Sequence, residues 1–531
     1  MMRKYRNPIL SGFYPDPSIC RTGDDFYLVT STFAYFPGIP IFHSKDLIHW
    51  KQIGNAIHRP GQICYDGHQI SQGLFAPTIR HNNGVFYILC TLINTGGNFI
   101  ITAKDPAGPW SDPVWLSCAD GIDPSIFFDD DGKVWYCGTH PAPEGEAYPG
   151  NYEIYIREID IPLLEKGKNP LLGENIGIWR GALRNVIWPE GPHIYKKDGL
   201  YYLLHAEGGT GLDHAVCVAR AKNIQGTWEG KKSNPVLTHR HLGKRAEIIN
   251  VGHADIVDDK NGNWWMVLLA SRPFDGVCPL GRETFMVPIY WEDGWPFIAT
   301  KSGLVENEIS VPCLTDEKSD SEWDAENPCD HFTDKLPLHW LTLRMPVNEK
   351  DASFSLNARN GALRLFTKAA AMREKKHPSF SGRRIRHKNW AFSAEIEFSP
   401  KTKNESAGII LLQSEDFQYR FEMCLNSDGG LVRRVIRAAG KEDEIIAEED
   451  CLKSEAPRVF AAQCEEMKIA FFYGKDQYSM KLFINGIDAR ILSTEYAGGF
   501  TGALAGVFAS GNGKDTENYA DVFWAEYRGL E

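Results

Sequence analysis

The chain has 531 residues, 43% of them hydrophobic, and 57 Lys and Arg stand against 69 Asp and Glu for a net charge of −12. This length exceeds one ordinary core and predicts two domains, while the acidic balance argues against a nucleic-acid or phosphate-rich partner and suits a neutral ligand. The N-terminal MMRKYRNPILSGFYPD lacks the apolar core of a signal peptide, and no stretch approaches about 18 apolar residues, so a soluble, cytoplasmic protein that does not engage a membrane is expected. The 12 cysteines are scattered without any C-x-x-C spacing. They read as buried reduced thiols, and no zinc site is expected from them.

In chain order, one pattern returns five times: a polar or acidic residue, a short apolar strand, a tight turn and an aromatic strand. The copies are YPDPSICRTGDDFYLVTS, LFAPTIRHNNGVFYILCT, IDPSIFFDDDGKVWYCGT, PEGPHIYKKDGLYYLLHAE and GHADIVDDKNGNWWMVLLAS. Their turns carry Asp25, Gly84, Gly132, Gly199 and Gly262, and the Asx-Gly pairs among them supply the positive φ of a two-residue hairpin. Nine positions before each turn residue stand Asp16, Phe75, Asp123, Glu190 and His253. A third strand-like run follows each copy, as in IFHSKDLIHW and FMVPIYWEDGW. Irregular repeats of three or four strands predict an all-β protein whose first domain, residues 1–310, is a five-bladed propeller.

The many aromatic residues of this domain, Trp115 and Trp188 among them, read as packing between blades. Phe33 and Phe75 stand out instead as surfaces for a sugar ring. Phe75 holds a registered position, and Phe33 follows the first aromatic strand in STFAYFPG.

Residues 311–329 lose periodicity and become acidic, a linker. From 330 to 531, runs such as AFSAEIEF, FQYRFEMCL and ADVFWAEYRG alternate apolar and polar residues and predict a β-sandwich. Within it, REKKHPSFSGRRIRHK reads as a solvated loop and strand edge, and the glycine-rich GGFTGALAGVFASGNG as a loop able to pack over the first domain.

A propeller gathers its equivalent inner-strand positions at one axis, so Asp16, Asp123 and Glu190 are expected to meet. Like charges brought together raise each other's pKa and oppose the fold, so such a cluster points to chemistry. Two carboxylates across a glycosidic bond suffice for hydrolysis. Glu190, flanked by Trp188, Pro189 and Pro192, suits the proton donor, Asp16 the base that activates water, and Asp123 the neighbour that keeps Glu190 protonated. Asp16 and Glu190 lie in the first and fourth repeats, which favours the wider gap of an inverting enzyme. His253 reads either as a structural hydrogen-bonding group or as a residue that orients Asp16, holds a water or binds a cation. Arg282 reads as a clamp on sugar hydroxyls or as a salt-bridging arginine. Glu207 is set aside as lying at the far end of its hairpin.

The motifs YPDPSI, GIDPSIFFDDDG, WPEGPHIYKKDGLYYLLHAEGGTG, VGHADIV and LGRETF, in this order, resemble glycoside hydrolase family 43, in its two-domain β-xylosidase and α-L-arabinofuranosidase group. The resemblance covers nearly the whole chain. It implies a five-bladed propeller with a C-terminal concanavalin-like sandwich and inverting exo-action on β-1,4-xylo-oligosaccharides. An enzyme acting mainly on arabinofuranosyl side groups is the alternative, and a non-catalytic carbohydrate-binding propeller is the reading from another class. By motif, Asp16 matches the general base, Asp123 the pKa-modulating acid, Glu190 the general acid, Arg282 and Phe33 substrate contacts, and His253 a histidine that accompanies calcium in some members. No cofactor is implied for the chemistry. Phe75-Ala76-Pro77 stands where many xylosidases of the group have Trp-Ala-Pro, which leaves the glycone open; the sequence leaves the oligomeric state, homo-oligomers included, open as well.

Overall fold

The computed structural model describes residues 2–312, 329–345 and 352–530. Five antiparallel sheets of the first domain each run outward from one inner strand: Ser18–Thr22, Leu74–Asn82, Ile122–Phe128, Glu190–Lys197 and Ile249–Asp258. The aromatic repeat strand lies second in every sheet, as Asp25–Val29 does in the first blade and Trp264–Ser271 in the fifth. The fourth blade adds a short fifth strand, Leu237–Thr238. Met2–Arg6 pairs with Glu308–Pro312, joining the start of the propeller to its end.

A blade packs on two neighbours, so its strands must be apolar on both faces rather than on one. The buried residues accordingly separate into five seams. Val29 and Ile88 belong to one seam, Leu89 and Tyr136 to the next, then Cys137 and Leu203, Leu204 and Met266, and finally Val267 and Leu28, which closes the ring.

At the axis the inner strands share one buried ion pair. Arg80 from blade two meets Asp255 from blade five at 2.7 Å, and the Ser18 hydroxyl donates to the same carboxylate at 2.7 Å. The Tyr195 hydroxyl donates to it as well. Burial alone would raise the Asp255 pKa, but Arg80, His193 and the hydrogen bond from Tyr195 hold it well below the ordinary range.

Two large sheets form the second domain, and Phe392, Ile409, Phe421 and Phe460 lie in the core between them. One sheet takes in a strand from the propeller: Tyr35–Phe36 pairs with Trp340–Leu343. The basic stretch departs from expectation here. Ser379–Arg384 is a fully buried strand rather than a solvated edge. Arg383 pairs with Asp330 at 2.9 Å, while Arg384 donates to the Phe13 carbonyl at 2.7 Å and lies over the Tyr14 ring. A cationic run becomes interior when a second domain supplies carbonyls and aromatic faces to it.

Two further expectations are corrected. Cys64 and Cys118 are exposed, whereas most of the described cysteines are buried; both sit in loops outside the strands. Trp115 and Trp188 are each 38% exposed rather than buried in the seams between blades. Most of the linker expected at 311–329 lies outside the described residues.

Candidate active site

Where the inner strands carry the repeat residues, four of the five bulge. Their register slips between Phe75 and Thr78, Ile122 and Ser125, Glu190 and His193, and Gly252 and Ala254. Asp16, Asp123 and His253 take φ of 54°, 54° and 45°, and Gly191, beside Glu190, takes 57°. A bulge with a left-handed residue breaks the alternation of faces. The side chains at these positions therefore leave the interblade seams and turn to the axis.

They line one cavity of about 670 Å³. Asp16, Phe33, Phe75, Asp123, Glu190, His253 and Arg282 all border it, so the structure brings together every site residue expected from the sequence. The third blade holds the Glu190 segment: the Thr139 hydroxyl donates to the Pro189 carbonyl and the Ser125 hydroxyl to the Pro192 carbonyl, each at 2.6 Å.

The three carboxyls differ in their surroundings. Asp16 accepts the Ser31 hydroxyl at 2.6 Å and Arg282 Nη1 at 3.0 Å, and His253 Nδ1 lies 4.0 Å away. Burial pushes its pKa up, yet Arg282, His253, Ser31 and His214 outweigh that and leave it lowered. Asp123 is raised, by burial first and Asp16 next, although His253 and the Gly191 N–H at 3.0 Å oppose this. Glu190 is raised well above its ordinary range by burial, then by the charges of Asp123 and Asp16, with Arg282 opposing. One carboxyl thus favours the charged form and another the protonated form in the same cavity, which is the division a base and an acid require.

Phe33 lines the cavity but is only 1% exposed, because Phe13 and Phe500 stack on it with centroids at 5.8 and 6.1 Å. Phe500, from the glycine-rich loop of the sandwich, lines the cavity itself. Its N–H donates to the Ser71 hydroxyl at 3.0 Å, so the start of that segment packs over the propeller, while Leu504–Ser510 within it is a buried strand of the sandwich rather than part of a loop. Tyr152, Trp188 and Thr210 also border the cavity without having been expected there. Glu207 lies at the same end of its hairpin as Glu190, which pairs with Ala206. Its carboxylate is turned to the Ala182 N–H and to His205, 2.8 Å away, and is not among the lining groups.

Among the described residues, the one group of three ligating side chains is His205, Glu207 and Cys217, and His253 is not part of it. A calcium ion asks for six to eight oxygens, whereas Arg282 already occupies the Asp16 oxygen that faces His253. The side chains bordering His253 do not by themselves supply such a set of oxygens.

The model of glycosyl hydrolases family 43 matches residues 5–296, and that of the beta xylosidase C-terminal concanavalin A-like domain matches 329–528. The chain belongs to glycoside hydrolase family 43. It is 44% identical over 518 residues to a protein of Butyrivibrio fibrisolvens described as xylosidase/arabinosidase, covering 97% of each chain. A non-reducing end alpha-L-arabinofuranosidase of Bacteroides ovatus is 36% identical over 542 residues, 100% of this chain and 96% of that one. The solved structure of a xylan beta-1,4-xylosidase from Bacillus halodurans superposes with a TM-score of 0.89 at 30% identity, covering 98% of this chain and 99% of that one. This family 43 member is a glycoside hydrolase with a five-bladed propeller and a concanavalin-like sandwich.

Proposed function

We propose that the enzyme releases xylose from the non-reducing ends of β-1,4-xylo-oligosaccharides with inversion, and that it also accepts α-L-arabinofuranosides. The observation that carries this reading is the shared cavity of Asp16, Asp123 and Glu190, closed on one side by Phe500. A cavity closed in this way suits a chain end rather than the middle of a polymer. Glu190 gives its proton to the glycosidic oxygen while Asp16 takes one from a water that attacks the anomeric carbon from the opposite face. Asp123 keeps Glu190 protonated between turnovers by its charge. Arg282 keeps Asp16 ionised, and its contact with Thr210 at 2.9 Å fixes the guanidinium beside the sugar.

The names of the relatives support both glycones, and Phe75-Ala76 at the cavity wall favours neither. Release of nitrophenol from the β-xyloside and from the α-arabinofuranoside measures the preference. Proton NMR of the first-formed sugar tests the stereochemistry: α-xylose appearing first from a β-xyloside is expected, and β-xylose appearing first sinks the inverting assignment. Binding of xylo-oligosaccharide without any release would return the protein to a lectin.

A further inference from the structure

Trp188 is a large apolar ring kept 38% exposed at the wall of the catalytic cavity. Exposed rings are common on protein surfaces, so what counts is the place of this one beside Glu190 in the lining of the cavity. Two loops hold it there. Its backbone N–H donates to the Gly150 carbonyl at 2.7 Å, and its φ is 47°. A Cβ on Gly150 would come within 2.9 Å of the indole and one on Gly209 within 2.6 Å, so both loops must present bare backbone to the ring. Blade three sends one of these loops and blade four the other.

We propose that Trp188 is the platform for the leaving group, a neutral pyranose seated by its C–H face on the exposed indole. This rests on the hydrolase reading above. Glu190 must reach the glycosidic oxygen, the atom that joins the sugar being released to the rest of the substrate. The leaving group therefore starts at Glu190 and runs toward the open side, and Trp188 stands two residues before Glu190 in the same rigid segment. Pyranose faces and aromatic rings match in shape and apolar character, and a pocket gains orientation from such a wall. Binding energy from this remote unit is also available to align the bond over Glu190.

The test compares xylobiose with xylosyl fluoride, whose leaving group is one atom and cannot reach the indole. For Trp188→Ala, the ratio of kcat/KM on xylobiose to kcat/KM on the fluoride is expected to fall about tenfold or more. Trp188→Phe, which keeps an aromatic face, should hold the ratio nearer to wild type. A Trp188→Ala ratio within about twofold of wild type, through equal loss on both substrates or none on either, overturns the proposal. If wild type ignores both xylosyl substrates, the glycone reading falls. The same ratio is then read with arabinofuranosyl fluoride and an arabinofuranosyl-xylose, so the two failures are told apart.

Discussion

Arg282 Nη1 lies 3.0 Å from Asp16 Oδ1, and both side chains are at most a tenth exposed. In so dry a setting the guanidinium does what water does for a surface carboxylate: it keeps the charge affordable. Asp16 can therefore remain a base in the same cavity in which Glu190 remains an acid.

Removing the guanidinium should move the acid limb of activity. In wild type, Asp16 stays ionised to a pH below the ordinary carboxylate range. With Arg282→Met, burial is no longer outweighed, and the acid limb of kcat/KM is expected to shift up by about one unit or more. A pH profile checks this, and an unmoved acid limb would separate Asp16 from that limb.

Glu190 should cost stability at neutral pH. Its folded pKa lies well above that of an unfolded glutamate, so the folded state holds the extra proton and stability is lost as pH rises through that window. Glu190→Gln has no charge to bury. Its Tm is expected to exceed that of wild type at pH 8 and to match it at pH 4, measured calorimetrically, while hydrolysis collapses. A higher Tm at pH 4 alone would contradict the assignment.

The same residue predicts a dependence on the leaving group. Without its proton, a sugar alkoxide leaves poorly and a nitrophenolate leaves readily. Glu190→Ala should lower kcat/KM on xylobiose by about 10³-fold, within the usual range for lost acid catalysis, and on the nitrophenyl glycoside by much less. Equal losses would argue against the donor role.

Much of this site is legible in the sequence because blade repetition is local. The turns, four of them Asx-Gly pairs and the first carrying Asp25, mark the hairpins, and counting back from them finds Asp16, Asp123, Glu190 and His253 without any long-range information. Contacts between distant segments leave no such trace. Phe500 reaches Ser71 across more than half of the chain, and nothing in GGFTG says which surface it will cover. Arg383 and Arg384 read as solvated because a run of positive charge is usually exposed, whereas Asp330 of the sandwich pairs with Arg383 and the docked propeller supplies the Phe13 carbonyl to Arg384. Glu207 departs from its expected place for a simpler reason. The open end of a hairpin carries the first residue of one strand and the last of the other, so Glu190 and Glu207 share that end.

The axial ion pair should matter for folding rather than for turnover. Asp255 is fully buried, and its loss would leave Arg80 inside the propeller without its carboxylate. Asp255→Ala is expected to cost about 3–5 kcal/mol in denaturant unfolding. The pair Asp255→Leu with Arg80→Met, which removes both charges, should recover part of that. A double variant no better than the single one would mean that the hydrogen bonds from Ser18 and Tyr195, rather than the unpaired cation, set the cost.

Phe500 makes the second domain part of the catalytic cavity, and its removal should be felt in catalysis before stability. The ring stacks on Phe33 at 6.1 Å and meets Phe75 edge-on at 5.8 Å, and Arg282 lies 5.4 Å from its centroid. Being 36% exposed, it contributes less to the core than to the closure of the cavity. Opening that side admits water and weakens the hold of Arg282 on Asp16. Phe500→Ala in the full chain is expected to lower kcat/KM by about tenfold while Tm falls by only a few degrees. It should also raise the acid limb of the pH profile in the same direction as Arg282→Met, because a better-solvated guanidinium stabilises the carboxylate less. Loss of activity with an unmoved acid limb would confine Phe500 to holding the sugar.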